Sequence, residues 1–229
     1  MTEIILFIAP GSCSRVPTIA LEEIGVPFET RVVRFMAGEH RGAAYRQYNP
    51  KGKVPALVID GEALTENVAI AGYLNERFPD AGLLPAVSGP LDRARQTADL
   101  CFCAATLHPI VTRIRLPAMF ATPEATPAVY ERASLAMRDY FDMIETRLAD
   151  GAWWYGDAWS VMDAYLYWVF WRVEGADFDV SRYPHFTRHA RAMESRPAVQ
   201  RALEREAVAT AQLKEEGLVF VPPSVKAPA

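Results

Sequence analysis

The sequence predicts a small α/β layer with a mixed sheet, followed by an all-helical bundle. Strand-like patterns are confined to residues 1–80. The segment 81–90 carries Gly, Pro and Ser without periodicity, which is typical of a linker. Apolar residues at helical spacing then dominate 91–212, and a Pro-rich tail covers 213–229. We therefore expect an α/β domain, a linker, a helical domain and a tail with these boundaries.

The first domain opens with a strand, a helix and a second strand. EIILFIA (3–9) is a continuous apolar run of strand length, as expected for a strand covered on both faces. The next segment is predicted to be a helix that ends at Gly25, a residue that suits a left-handed C-cap. Its apolar face has helical spacing and comprises Val16, Ile19, Ala20 and Ile24. The β-branched alternation of FETRVVRF (28–35) then predicts a strand.

A hairpin and a helix complete this domain. VPALVIDGEALT (54–65) contains two short strands joined by Asp60-Gly61, which is a tight-turn signal. ENVAIAGYLNERFP (66–79) has helical spacing, and Pro79 ends it. A short irregular or helical segment precedes the hairpin, and the whole order predicts a mixed sheet.

The second half is predicted to be helical throughout. YLYWVFW (165–171) is very apolar but too short to span a bilayer, so it predicts a buried helix. Prolines separate the helical segments, which lie near 91–119, 125–149, 160–174, 183–194 and 197–212. These lengths are typical of a helical bundle.

The composition limits the class of protein. The 229 residues are 51% apolar and 23% charged with a net charge of -4, which indicates a soluble globular protein without a basic nucleic-acid footprint. The N-terminal apolar run follows Glu3 rather than basic residues, so we expect neither a secretory signal nor a membrane partner. An odd number of cysteines, 3, argues against a disulfide framework and for a reducing compartment. We therefore expect a cytoplasmic protein.

The stretch APGSCSRV (9–16) places a lone thiol where a strand turns into a helix. Cys13 stands between two hydroxyl residues, Ser12 and Ser14. The start of a helix has a partial positive charge and unpaired amide donors. Two interpretations are open. The thiol of Cys13 is simply packed in the protein, or the start of the helix binds a sulfur anion, either that of the protein or that of a ligand.

The segment WSVMDAYLY (159–167) predicts another helix start. Ser160 and Asp163 are three residues apart, just ahead of an apolar run, which is the spacing of a capping box. A capping box stabilises a helix, so we assign both residues to folding rather than to chemistry.

Four motifs, in this order, resemble the cytosolic glutathione transferases, especially their bacterial beta-like members. They are PGSCSRV…IALEE (10–23), NPKGKVPAL (49–57), LTENVAI (64–70) and WSVMDAYLY (159–167). The resemblance covers residues 1 to about 205. It implies a thioredoxin-like N-terminal domain, a helical C-terminal domain, glutathione as co-substrate, a homodimer and a role in detoxification.

The resemblance also implies the residue that contacts the sulfur of glutathione. A thiol pKa lies near ~8.5, so an enzyme must stabilise the thiolate at neutral pH. Cys13 matches the cysteine that contacts this sulfur in the beta-like PGxCS motif. Ser12 and Ser14 are alternatives, because serine-using classes place a hydroxyl near this position. Phe7 stands where other classes keep a catalytic tyrosine.

Other parts of glutathione have implied partners. In the family, a cis bond between Val54 and Pro55 presents the Val54 main chain to the cysteinyl backbone. Glu66 and Asn67 match the residues that bind the γ-glutamyl end, and Asn67 replaces the usual serine. A helix start beside a carboxylate suits this end, which carries both an anionic and a cationic group.

The remaining site positions match the family less closely. His108 matches a histidine near the sulfur, although Pro109 follows it where lysine is common. The glycine carboxylate of glutathione requires a basic residue, and the candidates are His40, Arg41 and Lys53.

The second substrate is expected in an apolar cleft between the two domains. The side chains that line this cleft by position are Phe7, Leu116, Met119, Phe120 and Trp168. No metal site is predicted, because His185 and His189 have ligand spacing but no third ligand.

The sequence therefore predicts a glutathione transferase that acts on a hydrophobic electrophile. Glutathione-dependent isomerisation, dehalogenation, ether cleavage and monothiol exchange through Cys13 are alternatives. A further alternative is a glutathione-binding protein without turnover. Asn67 favours it, as does Cys101, which stands where the beta-like class has an asparagine that touches glutathione.

Overall fold

The computed structural model describes residues 3–221, which form two compact units. The sheet unit comprises the residues up to Ala86 together with Glu194–Phe220, and the helical unit comprises Val87–Met193. The end of the predicted tail, 222–229, lies outside the described residues.

Among the described residues, the sheet unit is built on a four-stranded mixed sheet. Its strands are β1 (Ile4–Ile8), β2 (Glu29–Val32), β3 (Ala56–Ile59) and β4 (Glu62–Thr65), in the order β2-β1-β3-β4. β1 runs parallel to β2 and antiparallel to β3, and β3 pairs with β4 in the hairpin. Both central strands are buried along their length, as their continuous apolar runs require. The predicted mixed sheet is confirmed.

Helices connect these strands. α1 (Arg15–Ile24) ends at Gly25, whose φ of 75° is the predicted left-handed cap. α2 (Ala43–Arg46) is a short turn within the segment predicted to be irregular or helical. α3 (Asn67–Arg77) follows the hairpin directly.

The helical unit contains the helices that the apolar spacing predicts. They are α4 (Pro90–Cys101), α5 (His108–Arg115), α6 (Thr126–Ala149), α7 (Val161–Glu174) and α8 (Pro184–Glu194). A π-helical segment, Phe102–Leu107, joins α4 to α5, so the helix predicted near 91–119 is not a regular α-helix throughout.

α7 is buried along most of its length and begins with the predicted capping box. The Ser160 N–H donates to the Asp163 carboxylate at 2.9 Å. The same carboxylate accepts a hydrogen bond from the Trp154 N–H at 2.7 Å and lies 2.9 Å from the buried His189 ring. Within residues 3–221, no helix combines the length and apolarity needed to cross a bilayer.

The last helix, α9 (Pro197–Glu215), groups with the sheet unit. The sequence predicts a helical domain over 91–212 that includes this segment. In the structure, α9 packs on α1, and its Arg201 and Arg205 both pair with Glu22 of that helix. α9 also ends at Glu215 rather than at residue 212.

Candidate functional site

The loop between β1 and α1 is shaped by one glycine and two hydroxyls. Gly11 has a φ of 71°, a left-handed conformation that favours glycine. The Ser14 hydroxyl lies 3.3 Å from both the N–H and the carbonyl oxygen of Ala9, and 2.7 Å from the Ser12 hydroxyl. Both serine hydroxyls are therefore engaged within the loop itself.

Cys13 stands between these serines and is buried. Its Sγ lies 3.7 Å from the Val54 carbonyl oxygen. Its own carbonyl accepts a hydrogen bond of 3.0 Å from the side-chain amide of Asn67. These contacts join positions 41 and 54 residues apart in the chain, so the fold brings three of the sequence motifs to one place.

The chain before β3 contains the predicted cis peptide bond between Val54 and Pro55. Two side chains hold the residue ahead of it. The Tyr45 hydroxyl and the Asn49 amide each donate to the Lys53 carbonyl at 2.5 Å. Burial of the Tyr45 ring raises the pKa of its phenol to about 12, so the hydroxyl remains a donor at neutral pH.

Glu66 and Asn67 lie where β4 leads into α3. Glu66 has a φ of 74°, which is uncommon for a residue with a side chain, and its carboxylate pairs with Lys51 at 2.7 Å near the solvent. Asn67 is buried, and its Oδ1 has no hydrogen-bond partner among residues 3–221. A buried acceptor without a hydrogen-bond partner is rare in proteins. A hydrogen-bond donor on a bound molecule would pair with the Asn67 Oδ1.

The three basic candidates differ in their surroundings. The His40 ring stacks on Phe35 with centroids 4.4 Å apart. Burial, followed by the charges of Arg41 and Arg46, lowers the His40 pKa. The neutral ring is therefore favoured at neutral pH. Arg41 and Lys53 are exposed, and neither forms an ion pair within the part of the chain that the structure describes.

In the helical unit, His108 lies beside two residues of α7. Its Nδ1 is 3.1 Å from the Tyr165 hydroxyl, and its ring meets Trp168 edge-on with centroids 4.6 Å apart. Trp168 is buried. Both contacts orient His108 within its own unit.

The other residues predicted to line an apolar cleft differ in exposure. Leu116 is half-buried at the end of α5, whereas Met119 and Phe120 are 70% and 46% exposed. Phe7 belongs to the core of the sheet unit, where its ring packs on Tyr45 with centroids 5.3 Å apart. Met119 and Phe120 are thus the members of this set that offer apolar surface to the solvent.

Sequence reasoning missed Glu206, an acid buried on α9. It contacts the β1–α1 loop through the Gly11 N–H, 195 residues away in the chain. No local sequence motif predicts a contact between residues so far apart in the chain. The one signal is an acid at the helical spacing of two buried alanines, Ala202 and Ala209.

A mixed sheet with a cis X–Pro bond just before β3, carried on a chain whose other unit is helical, defines a thioredoxin-like domain joined to a helical domain. Among residues 3–221, no His, Cys, Asp and Glu side chains group as a metal site requires.

Comparison with known proteins gives the family. The models of the glutathione S-transferase N-terminal and C-terminal domains match residues 11–77 and 127–205. Glutathione S-transferase GstA of Escherichia coli O157:H7 is 35% identical over 204 residues, which are 88% of this chain and 98% of that protein. The chain belongs to the glutathione S-transferase family, and the resemblance of its motifs is confirmed.

Two further relatives are informative. A maleylacetoacetate isomerase of Pseudomonas aeruginosa is 30% identical over 187 residues, which are 80% of this chain and 87% of that protein. The solved structure of a sphingomonad glutathione S-transferase, complexed with glutathione, is 36% identical with a TM-score of 0.78. That match covers 89% of this chain and 99% of the other.

Proposed function

We propose that this protein transfers glutathione to a hydrophobic electrophile and that Cys13 contacts the glutathione sulfur. The contacts of Cys13 carry the proposal, since its Sγ lies beside the Val54 carbonyl and its main chain is bonded to Asn67. A thiol is thereby held at the start of α1, beside the main chain that suits the cysteinyl part of glutathione. Ser12 and Ser14 are weaker candidates, because their hydroxyls already bond within the loop.

The reaction requires the glutathione sulfur as a thiolate. A thiol with a pKa near ~8.5 is mostly protonated at pH 7. The positive end of α1 and the S–H donor of Cys13 both favour the ionised form, and the proton leaves to solvent. The thiolate then forms a bond to a carbon atom of the electrophile, and the leaving group departs with the bonding electron pair.

The two ends of the tripeptide have complementary groups in the sheet unit. The Glu66 carboxylate and the buried Oδ1 of Asn67 suit the γ-glutamyl ammonium. Arg41 and Lys53 suit the glycine carboxylate. His40 suits it less, because its lowered pKa favours the neutral ring.

The remaining assignments extend the proposal. His108 is assigned to the neighbourhood of the sulfur. The residues assigned to the electrophile are Leu116, Met119 and Phe120, which keep accessible surface. Phe7 and Trp168, which the sequence also predicts for this role, are buried within their own units. The protein is proposed to act in detoxification as a cytoplasmic homodimer, since a twofold dimer is the commonest symmetric assembly.

The test compares Cys13→Ala with Ser12→Ala by following the thiolate absorbance of bound glutathione against pH. Loss of the Cys13 donor should raise the apparent pKa of bound glutathione by about one unit, which corresponds to about 1.4 kcal/mol. Ser12→Ala should leave the titration close to that of the wild type. A shift in the Ser12 variant with none in the Cys13 variant contradicts the assignment.

The isomerase relative favours a second function, since the match covers 87% of that protein. In glutathione-dependent isomerisation the thiolate adds to a conjugated double bond, the resulting single bond rotates, and elimination returns the thiolate. Transfer consumes one glutathione per product, whereas isomerisation consumes none. Thiol titration during turnover of a cis α,β-unsaturated carbonyl compound, with the product geometry read by NMR, separates the two functions.

A further inference from the structure

The carboxylate of Glu206 joins α9 to both flanks of Cys13. Its Oε1 accepts a hydrogen bond from Arg15 Nε at 2.9 Å, and its Oε2 accepts one from Arg15 Nη2 at 2.8 Å. The same Oε2 accepts the Gly11 N–H at 3.1 Å. Gly11 precedes Cys13 and Arg15 follows it in the chain, so one side chain holds the loop on both sides of the thiol.

This bridge lies away from solvent. The side chains of Arg15 and Glu206 are 3% and 10% exposed. A bidentate pair between a carboxylate and a guanidinium has a fixed geometry. Because water hardly competes for these bonds, the bridge holds the loop more firmly than an exposed ion pair does.

Packing between α1 and α9 does not by itself account for the bridge. Another acid of α1, Glu22, already pairs with Arg201 at 2.6 Å and with Arg205 at 2.5 Å. A buried ion pair, moreover, adds little net stability over well-packed apolar side chains of similar volume. The feature that Glu206 adds is the hydrogen bond to the loop that carries Cys13.

We infer that Glu206 is a positioning residue for Cys13. By holding the Gly11 N–H and the Arg15 guanidinium, it sets where the Cys13 thiol meets the sulfur of glutathione. The inference rests on the proposed function of Cys13. Glu206 itself touches no reacting atom and acts through the loop.

The first experiment neutralises the carboxylate in the full-length protein. Glu206→Gln keeps the size of the side chain and one acceptor oxygen, but it removes the charge that fixes Arg15. The matched control is Glu204→Gln, on the same helix at an exposed position. Glu206→Gln should lower kcat/KM for glutathione about tenfold and raise the apparent pKa of bound glutathione, because small displacements of reacting groups are costly. Glu204→Gln should match the wild type in both measurements.

A double variant separates positioning from folding. Arg15→Met combined with Glu206→Met replaces the pair by apolar side chains of similar length. Because this exchange removes both buried charges together, urea unfolding should have a midpoint above that of Glu206→Gln, in which the Arg15 charge has lost the Glu206 carboxylate. The kinetics with glutathione should remain impaired, since the acceptor for the Gly11 N–H is gone. Recovery of both stability and kinetics would overturn the inference, because the pair would then serve folding alone.

Alkylation by iodoacetamide without glutathione separates this inference from the proposed function. Mass spectrometry follows Cys13 and the exposed Cys101 in one sample, so Cys101 is an internal control. Glu206→Gln should change the alkylation rate of Cys13 several-fold and leave that of Cys101 unchanged. An unchanged Cys13 rate overturns the positioning role. A changed rate in a protein that binds no glutathione supports positioning and refutes the proposed function.

Discussion

The starts of α1 and α7 are similar in sequence and different in structure. Each helix follows a serine, Ser14 or Ser160. A capping box formed by Ser160 and Asp163 lies at the start of α7. Ser14, in contrast, makes no capping bond, and its hydroxyl accepts a hydrogen bond from the Ala9 N–H. The start of α7 is stabilised by hydrogen bonds between residues close together in the chain. The start of α1 is held by hydrogen bonds to residues that are distant in the chain. The first arrangement serves folding, and we propose that the second serves binding.

The largest effect is expected at the start of α7. Asp163→Ala removes the acceptor of the Ser160 and Trp154 N–H groups and the partner of His189. Since both side chains of the Asp163–His189 pair are fully buried, the free energy of unfolding should fall by on the order of 3–5 kcal/mol. Urea unfolding measures this loss. Calorimetric titration of the folded variant should give the glutathione affinity of the wild type.

The control for this variant is Asp157→Ala, which changes an exposed acid just before the same helix. Its free energy of unfolding should stay within about 0.5 kcal/mol of the wild-type value. A lower glutathione affinity of folded Asp163→Ala would contradict the assignment of this helix start to folding alone, because the start of α7 would then contribute to binding.

The two helix starts also show what a sequence reveals. Ser160 and Asp163 interact across three residues, so their spacing alone predicts the capping box. Glu206 reaches Gly11 across 195 residues, and that contact depends on the completed fold. The same reasoning explains α9. The periodicity of α9 predicts a helix. It does not predict that Arg201 and Arg205 of this helix pair with Glu22 of α1.

The second prediction concerns the bond that joins α3 to the Cys13 loop. Asn67→Ala removes the donor to the Cys13 carbonyl, and a buried acceptor left unpaired costs about 1–3 kcal/mol. The free energy of unfolding should fall by this amount, and KM for glutathione should rise.

The matched control on α3 is Asn75→Ala. Asn75 accepts a hydrogen bond of 3.0 Å from the Leu84 N–H, so its loss also removes a partly buried bond. Asn75→Ala should lower stability and leave KM for glutathione unchanged. An equal rise of KM in both variants would mean that loosening α3 alone weakens binding, and the specific role of Asn67 would be lost.

The third prediction compares the two serines directly. Ser160→Ala should lower the free energy of unfolding by about 0.5–2 kcal/mol, the usual value of an N-cap, and leave glutathione kinetics unchanged. Ser14→Ala loses the bonds to Ala9 and Ser12 and should cost a similar free energy. Only Ser14→Ala should raise KM for glutathione, because only Ser14 shapes the Cys13 loop. Steady-state kinetics and urea unfolding of both variants provide the measurement, and unchanged kinetics in Ser14→Ala contradict the comparison.

Most elements of both units follow from periodicity, because the strands alternate or are wholly apolar and the helices have a repeating buried face. The π-helical segment Phe102–Leu107 is an exception. Its apolar spacing is also compatible with an ordinary α-helix, and the difference in hydrogen bonding is decided by packing. In the candidate site, the cysteine and the cis bond belong to recognisable motifs. The anchoring of the loop by Glu206 depends on side chains that no motif links to Cys13.

The smallest effect is expected at Tyr45, which holds the Lys53 carbonyl ahead of Val54. Tyr45→Phe should cost about 1 kcal/mol at neutral pH, the usual value of one hydrogen bond. Burial raises the phenol pKa from about 10 in the unfolded chain to about 12 in the folded one, so the fold favours the neutral phenol. This contribution is fully present below pH 10 and is lost as the pH rises from about 10 to about 12. The free energy of unfolding of Tyr45→Phe should therefore fall less steeply than that of the wild type in this window.

Asn49→Ala is the matched control for Tyr45→Phe, because the Asn49 amide donates to the same carbonyl and carries no titratable proton. Its loss should lower the free energy of unfolding by a similar amount at neutral pH and should keep the fall of the wild type between pH 10 and about 12, because the buried phenol is still present. Urea unfolding at a series of pH values from 7 to about 12 distinguishes the two shapes. If Tyr45→Phe also runs parallel to the wild type, the phenol titrates alike in the folded and unfolded chains. That outcome would contradict the effect of burial on the Tyr45 phenol.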